Sequence, residues 1–415
     1  MNILIVSQHF FPDNFRINDI AVKLTQSGNN ITVLTSLPDY ATGYVPEEYK
    51  QKFKDDYFGV NVIRVKTKER KSGVKNRALN YLSFLTASKK EVKKMDLKKF
   101  DCIMCYQTSP IFMAHAAITA KKKSGKKLII YCLDLWPESL KVWGIKENNP
   151  LFKLMNKYSK WAYNNADIIA VSSNPFKEYL NNVNNVPLDK MVYLPQHSNR
   201  LDLSINNNNT ADLKNESIKK ETKEEQKETV FAFGGNIGAA QDVECIIKAA
   251  ALIKDKNFKI NIYGDGSELE NVKNKAKELN VNEKVKFFGR VTFNDLQEHY
   301  KKADAFILTL KQSGAVGNTV PAKLQEYMSG NKPIFSAAGK GATEIIENAD
   351  CGKAVPPSDY KALSQALADF IDNPEKYKNC GRNGLKYFNK NYTLDIFETR
   401  LLKIIRENLL EDTSN

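Results

Sequence analysis

Residues 229–242, TVFAFGGNIGAAQD, open on an apolar, strand-forming run and break into glycines just before a helical stretch. The arrangement recurs as FKINIYGDGSELE at 258–270, KVKFFGRVTFNDL at 284–296, AFILTLKQSGAVGNTVPAKLQE at 305–326 and PIFSAAGKGATEI at 333–345. Near-continuous apolar strands alternating with helices specify a parallel sheet covered on both faces. In such sheets the ligand site lies beyond the carboxyl ends of the strands. A glycine-rich turn that feeds a helix there aims backbone N–H groups and the positive end of the helix dipole at an anion.

The same alternation fills the first half of the chain. Strand-like runs occur as NILIVS (2–7), NITVLTS (30–36), NVIRVK (61–66), DCIMCYQ (101–107), KLIIYCLD (127–134), DIIAVSS (167–173) and MVYLPQ (191–196). Between them INDIAVKLTQSG at 17–28 puts Ile17, Ile20, Ala21 and Leu24 on one helical face and closes at Gly28. The pattern stops at 204–228, SINNNNTADLKNESIKKETKEEQKE, which has too few large apolar residues to offset the entropy of ordering. Two doubly wound domains follow, over 1–200 and 229–388, joined by a polar linker or surface excursion at 201–228. A C-terminal helix over 389–415 is expected to pack back on the first domain.

The chain has 415 residues, 42% hydrophobic and 27% charged, enough for two full cores. No run approaches the roughly 20 apolar residues that span a bilayer, and the start lacks the features of an export signal, so a cytoplasmic setting is expected. Six scattered cysteines fit a reducing compartment, and Cys102 and Cys105 lie in a strand-like run that places them in the core. The four histidines show no metal spacing. His9 follows the first strand, His115 reads as core, and His197 and His299 as surface or hinge.

The net charge of +14 is concentrated in the first half, above all between Arg64 and Lys99. A solvated surface explains such a run, and cations flanking Leu79, Tyr81, Leu82, Phe84 and Leu85 also suit an anionic membrane surface. The stretch carries no reading-helix motif and no aromatic-interleaved sheet, so no nucleic-acid partner is expected. A dinucleotide is also not expected: FGGNIGAAQD lacks the G-x-G-x-x-G spacing, and SQHFFPDNFR at 7–16 has no glycine.

In VPAKLQEYMSGNKPI, residues 320–334, Lys323 and Glu326 fall on one side of a helical turn at the expected ligand edge. An exposed i, i+3 ion pair gives the same pattern. Together FGGNIG, YGDG, FFGRV, VPAKLQEYMSGNKPI and GATEIIENADCGKAV resemble the nucleotide-binding half of family 4 glycosyltransferases. FFPDNFRINDIAVKLTQSGNNITVLTSLPDY and DLWPESLKVWGI are similar to the bacterial branch that builds capsule and O-antigen polysaccharides, close to its fucosamine-transferase-like members. The resemblance runs from about residue 2 to 390, apart from the polar excursion.

That resemblance implies the GT-B fold, two Rossmann-like α/β domains with parallel sheets facing across a cleft. It implies a retaining hexosyl transfer from a nucleotide-sugar donor, expected to be a UDP-linked N-acetylated deoxy- or aminosugar, to a lipid-linked saccharide at the inner face of the membrane. Glu326 matches the glutamate that accepts from the nucleotide ribose. Asn318 stands where the family has a glutamate touching the donor sugar, and Gln241 and Asp242 stand where many relatives have a diphosphate-clamping arginine and lysine. Lys323 is the substitute cation. Asn236, Gly238, Gly264, Gly289, Arg290, Thr319, Val320 and Arg16 complete the expected donor site. Asp134, or else Glu138, is expected to orient the acceptor or the donor sugar, although Asp134 also reads as a helix cap. The sequence has no D-x-D pair to hold a divalent ion on the diphosphate, so neither metal nor cofactor is expected. Alternatives are an epimerase or hydrolase of sugar nucleotides on the same fold, or a non-catalytic sugar-nucleotide-binding protein.

Overall fold

The computed structural model describes residues 1–201, 203, 228–312, 314, 317 and 319–410. The polar segment 204–227 and Asn318, expected at the donor sugar, lie outside the described residues. The chain forms two compact units: Met1–His197 with Gly314–Thr319 and Asn391–Asn415, and Ser198–Ser313 with Val320–Lys390.

Unit 1 carries strands β1 (Asn2–Val6), β2 (Asn30–Ser36), β3 (Lys54–Tyr57), β4 (Val60–Val65), β5 (Cys102–Gln107), β6 (Leu128–Cys132), β7 (Ile168–Val171) and β8 (Met191–Tyr193). They form one sheet in the order β3-β4-β2-β1-β5-β6-β7-β8, parallel except for β3, which runs antiparallel to β4. Its helices are α1 (Arg16–Gln26), α2 (Val74–Lys94), α3 (Ala114–Ser124), α4 (Pro150–Asn164) and α5 (Pro175–Asn184). The pleat sorts β1 by alternate residues. Leu4 and Val6 join the core with Phe84, Ala117 and Phe176, while Ile3 and Ile5 join the one with Ile17, Leu24 and Phe397. Cys102 and Cys105 fall on opposite faces of β5, both buried as free thiols, and burial pushes Cys102 up to about 12.

Unit 2 carries β9 (Thr229–Gly234), β10 (Phe258–Tyr263), β11 (Val285–Gly289), β12 (Ala305–Thr309), β13 (Ile334–Ala337) and β14 (Gly352–Val355). All pair in parallel, in the order β11-β10-β9-β12-β13-β14. The helices here are α6 (Val243–Leu252), α7 (Leu269–Glu278), α8 (Phe293–Lys301), α9 (Ala322–Ser329), α10 (Lys340–Ala349), α11 (Tyr360–Asp372) and α12 (Cys380–Asn391). The direction of winding reverses between β9 and β12, and there the carboxyl ends of neighbouring strands leave a crevice for ligand.

The last helix, α13 (Leu394–Asn408), belongs to unit 1. Thr393 caps it by accepting the Ile396 N–H, and Phe397, Leu401 and Ile405 repeat every four residues, so they line one face. That face is buried in the same core as Ile17, Ile20 and Leu24 of α1, and Lys23 pairs with Asp395 beside it.

His197, expected at a surface or hinge position, is the last residue of the first stretch of unit 1 and is not on the surface: it is 2% exposed, packed edge-on against Phe397 of α13. Phe84 is likewise no surface aromatic; it is fully buried under α2, while Leu79 and Leu82 on the opposite face stay exposed. Replacing Leu401 by Ala should destabilise unit 1 by about 2–5 kcal/mol, the usual range for a fully buried leucine. Urea unfolding measures this, and a loss under about 1 kcal/mol would mean that α13 is dispensable to the core.

Candidate functional site

Strand β9 is buried from Phe231 onward and delivers the chain to Gly234 and Gly235 at the crevice. Gly235 has φ +124°, a conformation open to glycine, and its N–H donates to the Tyr263 carbonyl at 2.8 Å. A β-carbon at Gly235 would stand 2.3 Å from Cε and 2.7 Å from Nζ of Lys323. The lysine therefore lies across the strand end in space that any other residue would fill.

Helix α9 is held in that position by its own next turn. The Gly234 N–H donates to Tyr327 Oη at 2.8 Å, and the Tyr327 ring stacks on Phe306 with centroids 4.5 Å apart. Lys323, four residues earlier on the same face, then points over the Phe233 ring, Nζ 3.9 Å from its centroid. Nζ is buried and has no hydrogen-bond partner among the described residues. Burial pulls its pKa from 10.5 down to about 8, against the opposing pull of Glu326. Unlike an exposed ion pair, Lys323 is a desolvated cation whose donors are unused.

The neighbouring turns interlock with this one. Gly264, at φ +135°, abuts Gly235 so closely that a β-carbon would lie 1.8 Å from its carbonyl oxygen. The Ile237 N–H donates to the Asp265 carbonyl at 2.8 Å, and the Gly264 N–H to the Gly289 carbonyl at 2.7 Å. Gly264 and Gly289 thus shape the floor through the backbone. Arg290 is largely exposed and pairs with Asp265 at 3.3 Å. Asn236 and Gly238 are less open than expected: Gln241 Oε1 accepts from the Asn236 amide at 2.9 Å and the Gly238 N–H at 3.2 Å. The Gln241 side chain reaches back to satisfy the turn it follows, as a capping residue does. Asp242 is buried and accepts from Ser358 Oγ at 2.6 Å. Thr319 and Val320, both half-buried, lead into α9.

Unit 1 places its candidates separately. Arg16 opens α1 and donates to Gln196 Oε1 at 3.0 Å. Asp134 follows β6, and its backbone carbonyl accepts from Gln107 Nε2 at 2.9 Å. Burial raises the Asp134 carboxyl pKa, and hydrogen bonds from Ser109 oppose the rise. It caps no helix: the following turn, Glu138–Trp143, begins after Pro137. Glu138 is a brace, buried between Lys141 Nζ at 2.9 Å and Tyr179 Oη at 3.2 Å, so its oxygens are already engaged. His9, stacked on Phe15, is held to about 3 by burial and Arg70, and stays neutral at physiological pH.

Residues 15–196 match the Glycosyltransferase Family 4 model, and residues 214–387 match the model described as Glycosyl transferases group 1. The probable glycosyltransferase WbjE of Pseudomonas aeruginosa is 25% identical over 268 residues, covering 64% of this chain and 65% of that protein. Sucrose-phosphate synthase from Thermosynechococcus elongatus superposes with a TM-score of 0.74 at 15% identity, covering 98% of both chains. HepE from Anabaena, solved with UDP, gives a TM-score of 0.67 at 13% identity over 98% of this chain and 100% of its own. The fold is GT-B, and the chain carries a family 4 domain followed by a group 1 domain; it spans less than two thirds of the length of several of the curated relatives it matches.

The buried lysine gives stability a pH signature. Its folded pKa of about 8 lies below the ordinary 10.5, so between these values the unfolded chain binds more protons and stability rises with pH. Lys323→Met should remove that part of the rise, read as the difference between urea midpoints of wild type and variant. Parallel curves would show that Lys323 is solvated.

Proposed function

We propose that this pairing of a family 4 domain with a group 1 domain is a retaining, metal-independent glycosyltransferase of the capsule and O-antigen branch, near its fucosamine-transferase-like members. Its donor is a UDP-linked N-acetylated deoxy- or aminosugar, and its acceptor a lipid-linked saccharide at the cytoplasmic face of the membrane. The observation that carries this reading is the desolvated Lys323 ammonium, without a hydrogen-bond partner among the described residues, at the glycine-lined end of β9. The UDP held by HepE supports a nucleotide-sugar donor.

Transfer breaks the bond between the anomeric carbon and the diphosphate oxygen, and negative charge builds on the leaving diphosphate. A preorganised cation with free donors stabilises that charge more than it stabilises the bound donor. The acceptor hydroxyl oxygen attacks the same face of the sugar, and its proton passes to the departing phosphate oxygen. Glu326, one turn from Lys323, accepts from the ribose hydroxyls. Asp134, with its raised pKa, orients a hydroxyl of acceptor or sugar.

Among the described residues no helix is long and apolar enough to cross a membrane. The exposed face of α2 fits a peripheral contact: Leu79 and Leu82 are exposed there, and Lys90, Lys93 and Lys94 follow on later turns.

Incubation with a panel of UDP- and GDP-linked sugars, scored for nucleoside diphosphate release with and without lipid acceptor, tests the reaction. Lys323→Ala should lower kcat about a hundredfold, as loss of a transition-state donor does. Glu326→Gln should weaken donor binding about tenfold in calorimetry. Donor binding without turnover on any acceptor would leave a sugar-nucleotide-binding protein.

The membrane contact is checked by vesicle sedimentation. Replacing Lys89, Lys90, Lys93 and Lys94 by Glu should abolish pelleting with anionic vesicles and spare nucleotide binding, since each cation near an anionic surface contributes about 1 kcal/mol. Undiminished pelleting at low salt would place the contact elsewhere.

A further inference from the structure

Unit 1 carries a lysine-lined cavity outside the site described above. Beyond the carboxyl ends of β2 and β4, where Leu37 and Lys66 leave the sheet, a cavity of about 510 Å³ opens to solvent, within the range of small-ligand sites. Lys50, which is paired with Glu47, lines it with Lys66, Lys68, Lys71, Thr67 and Asn76, beside one acid, Glu69. That acid is partly committed elsewhere: Glu69 Oε1 accepts the Val45 N–H at 3.3 Å, and its other oxygen faces Lys71 at 3.7 Å. Lys66 and Lys68 have no acidic partner among the described residues. Thr67 Oγ1, between them, is buried without a hydrogen-bond partner among those residues.

Two further features fix the sign and the neighbourhood. Asn76 lies in the first turn of α2, a 21-residue helix with no acid in that turn, so the positive end of its dipole is uncompensated beside the cavity. Leu79, on the next turn, lines the cavity and is 45% exposed, continuing toward the exposed Leu82. The cavity thus combines a cation-lined interior with an apolar side.

We infer that this cavity binds a diphosphate group, and that in the reaction proposed above it holds the diphosphate joining the acceptor saccharide to its lipid. The inference rests on that reading for the identity of the carrier only. The anion chemistry comes from the lysines, the idle threonine hydroxyl and the helix end. With Lys50 facing Glu47 and Lys71 facing Glu69, Lys66 and Lys68 remain; a phosphate diester with a single charge would neutralise one of these two, and a diphosphate offers more charge and more acceptor oxygens to the pair.

The test compares the chain with native Lys66 and Lys68 with Lys66→Gln/Lys68→Gln, both changes at exposed positions. Probes are soluble pyrophosphate in calorimetry, phosphatidylcholine vesicles doped with a long-chain alkyl diphosphate, and phosphatidylcholine vesicles brought to the same surface charge with phosphatidylserine. To keep the unit 2 site silent, both proteins also carry Lys323→Met. The chain with native Lys66 and Lys68 should prefer the diphosphate vesicles, and the double substitution should weaken pyrophosphate binding about thirtyfold and erase that preference. Pyrophosphate binding without the vesicle preference would assign the site to a free diphosphate. Unchanged pyrophosphate affinity, or equal losses on both vesicle types, would overturn the site and leave only diffuse surface charge. Nucleotide release from the donor, assayed without acceptor on the chain with native Lys323, reports on the proposed function separately, so failure of one reading is not failure of the other.

Discussion

The approach of Lys323 to Gly235 is the constraint around which the second unit is arranged. A lysine side chain can cross the end of a buried strand only where the backbone there has no side chain of its own, and Gly235 leaves that space. The same residue then has to accept contact from its other side, where Gly264 presses on its carbonyl. Three successive strand ends are joined through these contacts by backbone hydrogen bonds, from Gly235 to Tyr263 and from Gly264 to Gly289. The glycines are thus tied together as a set, and the cation is fixed by a surface with few ways to move.

A second consequence concerns how a site without the usual arginine and lysine clamp can still carry positive charge. Gln241 and Asp242, at the place of that clamp, are turned inward to the loop and to Ser358. In the proposed reaction the cationic role falls to α9, which Tyr327 anchors to the strand end by one hydrogen bond and a ring stack.

Much of the fold could be read from the chain because long apolar runs have one use in a parallel sheet. β1, β5, β6 and β9 are all of this kind. Two strands were not legible. β3 is KDDY, with no aliphatic residue, and is a strand only because it pairs with β4; β14 is GKAV, whose Gly352 sits against the Ile334 carbonyl. Local composition does not carry such pairings. At the site, helical spacing placed Lys323 and Glu326 on one face, but not the burial of the ammonium, which depends on a glycine 88 positions earlier in the chain. Glu138 looked available because its partner Tyr179 lies on a different helix. Phe84 looked exposed because a basic stretch hides which side of a long helix faces the core.

The buried ammonium also links occupancy to protons. With its pKa near 8, Lys323 is already charged at neutral pH, so an incoming anion meets a field that exists beforehand and no proton has to move. Above that pH the amine is increasingly neutral, and an anion that restores the charge must draw a proton from solvent. Apparent affinity for the anion then falls with a limiting slope of about tenfold per pH unit. Gly235, by admitting the side chain to a dry position, sets the alkaline edge of the range in which the proposed site would take a negative ligand without proton exchange.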